Sequence, residues 1–419
     1  MTQKKITVLT LSDHPLSPSG VGTQTKYMIE AMLKTGKYRF ICLGGAVKHE
    51  NYQPVKVDPF GDDWIIFPVD GYGTQDLIRT LLINHKPDIL WFMTDPRFYG
   101  WLWEMENEIR SAVPMVYYHV WDNYPYPEFN NVWYGSNDAV VTISKVTSDI
   151  VRTVAPEVPE YYLPHAVDTE LFKKLSTDDV REFRKNSLGD TDKLLFFWNN
   201  RNARRKQSGS LAWWFKEYLD QVGHDKAQLI MHTDPKDPHG QDLVAILQRL
   251  KLTKGEIMLS TDKVPPSHLS MLYNMVDCTI NISDAEGFGL ATFESLACET
   301  PIIVNMTGGL QEQVTDGENW FGIGIEPASK ALIGSQQVPY IYEDRIAKED
   351  FINALVKVTN MSAEERAALG TAGREHVLKH YSMEQFSTQW DQVLTNVYKR
   401  CGSWDTRKNY NSWELSEIT

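Results

Sequence analysis

The chain has 419 residues, 42% of them hydrophobic and 23% charged, which is ordinary globular composition and more than one hydrophobic core normally covers, so two domains are expected. A net charge of −13, with fourteen Lys and Arg against twenty-one Asp and Glu over residues 1–170, excludes a broad basic footprint for a phosphate polymer or an anionic membrane surface. No run approaches the roughly 20 apolar residues of a membrane span, and Met1 to Lys5 leads into a strand-like segment rather than a signal peptide, so a cytoplasmic protein without stable membrane insertion is predicted.

In chain order, Ile6 to Leu11 is a short apolar, β-branched run that ends in Ser12-Asp13-His14-Pro15 and reads as a buried parallel strand. Gly20-Val21-Gly22 follows, and then apolar residues at helical spacing, Tyr27, Met28, Ala31 and Met32. Strand, glycine loop and helix open a doubly wound unit. Further strands are predicted at Tyr38 to Leu43, Asp88 to Met93, Met115 to His119 and Ala139 to Ile143. A second alternating series has strands at Leu194 to Trp198, Gln228 to His232, Cys278 to Ile282 and Pro301 to Val304, with helices near 208–221, 240–251, 266–276 and 289–299. Residues 362–400 read as two helices, and Cys401 to Thr419 as a polar tail, carrying Trp404, Tyr410 and Trp413, that either packs back or stays partly loose. Cys42, Cys278, Cys298 and Cys401 stand far apart without a Cys-x-x-Cys pair and read as reduced, structural cysteines.

The segment Ser283-Asp284-Ala285-Glu286-Gly287-Phe288-Gly289-Leu290, which runs on to Glu294, carries the most chemistry. Glycines at the exit of a strand let a ligand approach the backbone, and the amides of the following helix favour a diphosphate. Glu294, about one turn inside, can accept hydrogen bonds from ribose hydroxyls. A glycine loop alone is equally a plain strand–helix turn, but here Gly308-Gly309-Leu310-Gln311-Glu312 and Asp316-Gly317-Glu318-Asn319 follow downstream.

Glu286 and Glu294, with seven residues between them, resemble the paired-glutamate motif of retaining glycosyltransferase family 4. The likeness extends to Pro164-His165-Ala166-Val167-Asp168, where His165 and Ala166 replace the family's Asn and Gly, and to Ser267 through Tyr273 with Asp277. Arg201 and Lys206 match the family's two diphosphate-gripping cations, although Asn200 and Gln207 stand where it has glycines, leaving Arg204 and Arg205 as further candidates.

The resemblance implies an α/β chain of the GT-B fold. Two Rossmann-like doubly wound domains would face each other across a cleft, with C-terminal helices returning to the first. On that plan residues 1–178 form the acceptor-binding domain, 179–378 the nucleotide-sugar-binding domain, and 379–419 the helix and tail that cross back. It further implies a retaining transferase that uses a UDP- or GDP-sugar as co-substrate, with no cofactor and no metal. Donor contacts would come from Gly20, Gly22, Arg201, Lys206, Gly287, Phe288, Gly289, Leu290 and Glu294, and catalytic contacts from His119 and Glu286. The single Asp-x-Asp, Asp190-Thr191-Asp192, precedes a strand instead of following one, which agrees with a metal-free site.

The acceptor is open: a glycan, small molecule, lipid, protein or nucleic acid. Aromatic residues crowd positions 91–134, and such density serves a core as readily as a stacking surface. Trp121, Tyr124 and Tyr126, with Asp122, are the acceptor candidates because they follow His119 in a proline-containing loop. Three other functions fit the same residues: an inactive nucleotide-sugar-binding partner subunit, a GT-B sugar-nucleotide epimerase, and a transferase that modifies a nucleic-acid base.

Overall fold

The computed structural model describes residues 4–121, 123, 126–189 and 192–413. Asp122, Tyr124, Asp190 and Thr191 lie outside the described residues. The chain divides into two units. The described residues of Met1–Trp121, Tyr126–Ala166 and Met383–Thr419 form the first, and those of Asp122–Pro125 and Val167–Ser382 the second. The boundary therefore runs between Ala166 and Val167, earlier than the expected 178/179, and the segment that returns starts at Met383 instead of residue 379.

The first unit runs β1 (Ile6–Asp13), α1 (Gly20–Lys34), β2 (Tyr38–Gly45), β3 (Val55–Val57), β4 (Gly61–Pro68), α2 (Gln75–His85) and β5 (Ile89–Met93). It continues through α3 (Gly100–Trp103), α4 (Glu106–Ala112), β6 (Met115–His119), α5 (Asn131–Gly135), β7 (Ala139–Thr142), α6 (Lys145–Val154) and β8 (Glu160–Tyr162). The strands make one sheet in the order β3-β4-β2-β1-β5-β6-β7-β8, parallel except at the β3–β4 edge. Central strands such as β5 and β6 are buried along their whole length, as a parallel sheet covered on both faces requires.

The second unit contains α7 (Thr177–Leu188), β9 (Leu194–Asn199), α8 (Ser208–Val222), β10 (Ala227–His232), α9 (Leu243–Leu250), β11 (Ile257–Ser260), α10 (Pro266–Met275) and β12 (Cys278–Asn281). After these come α11 (Leu290–Ala297), β13 (Ile302–Asn305), α12 (Leu310–Val314), β14 (Gly322–Ile325), β15 (Ser329–Ile333), β16 (Ile341–Arg345), α13 (Lys348–Asn360) and α14 (Ala363–His380). Its main sheet is parallel in the order β11-β10-β9-β12-β13-β14, and β15 and β16 form a separate antiparallel hairpin. Counting β9 as the first strand, that order is 3-2-1-4-5-6, the doubly wound arrangement in which the chain reverses direction between β9 and β12.

The last helix, α15 (Met383–Cys401), belongs to the first unit. Its buried Trp390 meets the rings of Trp91 and Tyr118 edge-on, at 5.9 and 5.0 Å. The described part of the tail packs back as well: Ser403 donates to buried Asp88 at 2.8 Å, Trp404 Nε1 to the Pro87 carbonyl, and Arg407 pairs with Asp138 at 2.7 Å. Of the two open readings for this segment, residues 401–410 adopt the packed one, while Trp413 is exposed. All four cysteines are buried and free, and among the described residues no helix is long and apolar enough to cross a membrane.

Candidate functional site

Ligands of open parallel sheets bind beyond the carboxyl ends of the strands at the point where strand order reverses. In the second unit that point is the pair β9 and β12, so the loops to inspect are Asn200 to Gln207 and Ser283 to Gly289. Asn200 Nδ2 and, at the exit of β13, Asn305 Oδ1 are buried without a hydrogen-bond partner. Buried polar atoms are nearly always paired, and these two stand at strand exits of the second sheet.

The β9 exit makes a 3-10 turn, Arg204–Lys206, before α8. Lys206 is buried, and its ammonium pairs with Oε2 of Glu286 from the β12 exit. Arg205 NH1 stands 3.8 Å from the same oxygen and also donates to the Ala285 carbonyl. Asn281 Nδ2 and Ser283 Oγ reach Glu286 at 3.4 Å each. Burial alone would raise the Glu286 pKa, but Lys206, Arg205 and these hydrogen bonds outweigh it and bring the carboxyl down to about 2. Two cations thus share one fixed carboxylate.

Glu294 is the opposite case. It sits one turn inside α11 and accepts a 2.9 Å hydrogen bond from the Tyr273 hydroxyl, which in turn accepts from Asn199 Nδ2 at 2.9 Å. Burial raises its pKa to about 7, and the tyrosine bond only partly opposes the rise. One glutamate of the pair is firmly ionised and the other is poised near neutrality.

Gly289 holds φ at +92°, a left-handed conformation, and a Cβ there would lie 2.5 Å from Leu310 Cδ2, so the turn into α11 requires glycine. A Cβ on Gly309 would lie 2.6 Å from the Gly287 carbonyl, which explains the second glycine pair of the sequence. No side chain caps the α11 N-terminus, leaving first-turn amides, including that of Leu290, open to an anion. Phe288 contributes backbone rather than ring to this loop, since its side chain is buried against Phe293 at 5.0 Å and Tyr381 at 6.1 Å.

Arg201 is placed differently from the expectation. Its side chain is 62% exposed and pairs with Asp237 at 2.6 Å, with His239 Nδ1 at 2.7 Å. The cation beside Lys206 and Glu286 is Arg205. Gln207 takes the left-handed φ of +57° and donates to Asp284 at 2.6 Å.

In the first unit the strand order reverses beside β1. Gly20 begins α1, and a Cβ on Gly22 would lie 2.5 Å from Ser17 Oγ and 2.7 Å from the His14 carbonyl. The Gly22 amide is already bonded to the capping Ser19 at 2.9 Å, and Ser19 donates to the Asp13 carboxylate at 2.6 Å. His119, at the end of β6, is fully buried; its Nε2 meets the Tyr134 hydroxyl at 2.7 Å, its Nδ1 has no partner, and burial lowers its pKa to about 3. Trp121 is 6% exposed and packs against Phe129. Tyr126 is 39% exposed, while Asp122 and Tyr124 lie outside the described residues. Most other aromatics of positions 91–134, including Trp91, Phe92, Tyr99, Tyr117 and Tyr118, are core residues. Among the described residues, no group of three or more His, Cys, Asp or Glu is placed to hold a metal.

Sequence reasoning missed the β15–β16 hairpin, whose Glu343 and Arg345 bond to the site loops. Its only signal was the charged run Glu343-Asp344-Arg345, which matches no motif.

The family described as glycosyl transferases group 1 matches residues 240–375. Alpha-monoglucosyldiacylglycerol synthase of Streptococcus pneumoniae is 25% identical over 182 residues, which are 43% of this chain and 40% of the relative's length. Among solved structures, sucrose-phosphate synthase from Thermosynechococcus elongatus superposes with a TM-score of 0.74 at 17% identity, covering 95% of this chain and all of that one. Anabaena HepE in complex with UDP and glucose gives 0.68 at 13% identity, covering 94% of this chain and 100% of that one. Residues 240–375 thus match the group 1 glycosyl transferase family, the chain spans less than half the length of the first curated relatives it matches, and its fold is the GT-B architecture of the solved neighbours.

Proposed function

We propose that this chain moves a sugar from a nucleotide-sugar donor to a hydroxylated acceptor with retention of anomeric configuration. The observation that carries the proposal is the geometry of the β9 and β12 exits, where Arg205 and Lys206 gather at Glu286 beside an uncapped helix N-terminus. Two cations and open first-turn amides together suit an anion. When the bond between the sugar and the phosphate breaks, negative charge builds on the leaving diphosphate and an oxocarbenium-like centre forms on the sugar. Lys206, Arg205 and the α11 amides reward that gain of charge, so they stabilise the transition state more than the ground state. These fixed positive groups serve the leaving group without a divalent ion.

Glu286 accepts hydrogen bonds from sugar hydroxyls, and Glu294 from the ribose. In the first unit His119 is the candidate for the sugar contact, because its buried Nδ1 lacks a partner and such an atom costs about 1–3 kcal/mol until something bonds it. The Anabaena neighbour holds UDP and glucose, which makes a UDP-sugar the first donor to test and a GDP-sugar the second.

The test screens UDP-, GDP-, ADP-, CMP- and dTDP-sugars by thermal shift, then follows slow hydrolysis of the best donor in wild type, Glu294→Ala and Lys206→Ala. A specific shift with nucleotide release, both reduced in the variants, is the expected result. No binding of any donor sinks the proposal in favour of a scaffold that has lost its substrate.

A further inference from the structure

The β15–β16 hairpin lies between the sixth strand of the sheet and α13, and no motif led to it. One of its strands nevertheless bonds to the loops that follow β9, β12 and β13. Glu343, with its side chain 5% exposed, takes both ends of the Arg204 guanidinium at 2.9 and 2.5 Å. Arg345 bonds Glu343 at 3.0 Å and Asp284 at 2.8 Å. The Asp344 amide donates to the Asp284 carbonyl at 2.8 Å, and its carboxylate accepts from Thr307 at 2.7 Å. Asp284 in turn receives Gln207 Nε2, and its amide donates to the Arg205 carbonyl at 2.8 Å.

Arg204, Arg345, Glu343 and Asp284 thus form one ion-paired cluster. Arg201 is balanced separately by Asp237. The cations of the loop that stand at Glu286 are Arg205 and Lys206, which follow Arg204 in the same turn. That turn is pinned at both ends, by Arg204 to the hairpin and by Gln207 to Asp284. A bidentate Arg–carboxylate pair fixes orientation as well as charge, so with Arg204 held, the turn can aim only its next two side chains toward Glu286.

We propose that Glu343 is a positioning residue of the donor-diphosphate site: by locking Arg204 onto the hairpin, it sets the Arg204–Lys206 turn so that Arg205 and Lys206 meet the diphosphate. This rests on the donor reading above and adds to it a segment and a residue outside the paired-glutamate motif. The rival is a placeholder role, in which Arg204 leaves Glu343 for the phosphates when donor arrives.

Two readouts on the full chain separate these ideas: hydrogen exchange of the amides of residues 204–207, and binding of UDP, GDP and ADP by calorimetry. Lys206 and Gln207 amides are bonded to the carbonyls of Ala203 and Arg204, so their exchange reports the turn. In Glu343→Gln, exchange at these amides should rise and affinity for the nucleotide that wild type binds should fall about 10-fold, a loss that Glu343→Asp largely restores. Unchanged exchange, or tighter nucleotide binding once the competing carboxylate is gone, overturns the proposal. If Glu343→Gln does not fold, Arg204→Gln serves: faster exchange with weaker binding supports the lock, whereas weaker binding with unchanged exchange makes Arg204 itself a phosphate ligand and overturns it. A wild type that binds none of the three nucleotides removes the donor reading, and the exchange comparison still accepts or rejects the hold of Glu343 on the turn.

Discussion

The two units use one layout, a parallel sheet whose strand order reverses beside its first strand, yet the helix N-termini at their reversal points are opposite in chemistry. In the first unit Ser19 caps α1 and Asp13 stands behind the cap, so the amide of Gly22 is satisfied and the neighbouring charge is negative. In the second, no side chain caps α11, and Arg205 and Lys206 stand nearby with a single carboxylate between them. The sheet decides where a ligand site lies; the loop residues decide which ligand it takes. Only the second arrangement suits a diphosphate.

The sharpest way to break this comparison is to remove a cation on one side and the acid on the other. Lys206→Ala should lower donor turnover about 100-fold or more, while Asp13→Asn should leave donor affinity within about 3-fold. Steady-state kinetics of donor hydrolysis would show it, and equal losses would end the distinction.

Next in size is a pair of opposed pH effects on stability. The Glu286 carboxyl is depressed in the folded state to about 2 from 4.5, so the stability it contributes is present above pH 4.5 and disappears as pH falls toward 2. Glu286→Gln should therefore cost about 3 kcal/mol at pH 7, since it leaves Lys206 buried beside a neutral group, and much less near pH 3. Glu294 is raised to about 7 from 4.5. Its folded form binds the extra proton, so stability falls as pH rises from 4.5 to 7, and Glu294→Gln should flatten that slope. Tm measured against pH for wild type and both variants checks each sign. Donor affinity should rise through pH 7 in wild type, because the ionised Glu294 is the better acceptor for ribose.

Glycines sharpen the contrast further. Gly22→Ala and Gly289→Ala each force a contact near 2.5 Å and should each destabilise by about 1–3 kcal/mol. Only Gly289→Ala should also weaken donor binding beyond what the shift in Tm explains. The smallest effect is expected at Arg201, whose exposed pair with Asp237 lies apart from Glu286: Arg201→Ala should change donor kinetics less than about 3-fold. A larger loss would mean that Arg201 turns inward when donor binds.

The alternation of buried strands and amphipathic helices was legible in the sequence because burial on both faces of a parallel sheet demands continuous apolar runs. Met115 to His119 was read with its observed limits, and the helices at 208–221 and 266–276 came within one residue of theirs. That Glu286, Glu294 and the Lys206 turn lie at strand exits was legible too, since glycine turns between a strand and a helix are local features. Strands β3, β4 and β14 to β16 were not, being short or partly exposed with no strong period. Which cation stands beside Glu286, whether Trp121 faces solvent, and that Glu343 grips Arg204 were settled only by the fold. Each depends on residues distant in sequence, Arg204 and Glu343 being 139 positions apart, and a pattern along the chain carries no record of which side chains the folded backbone brings within reach.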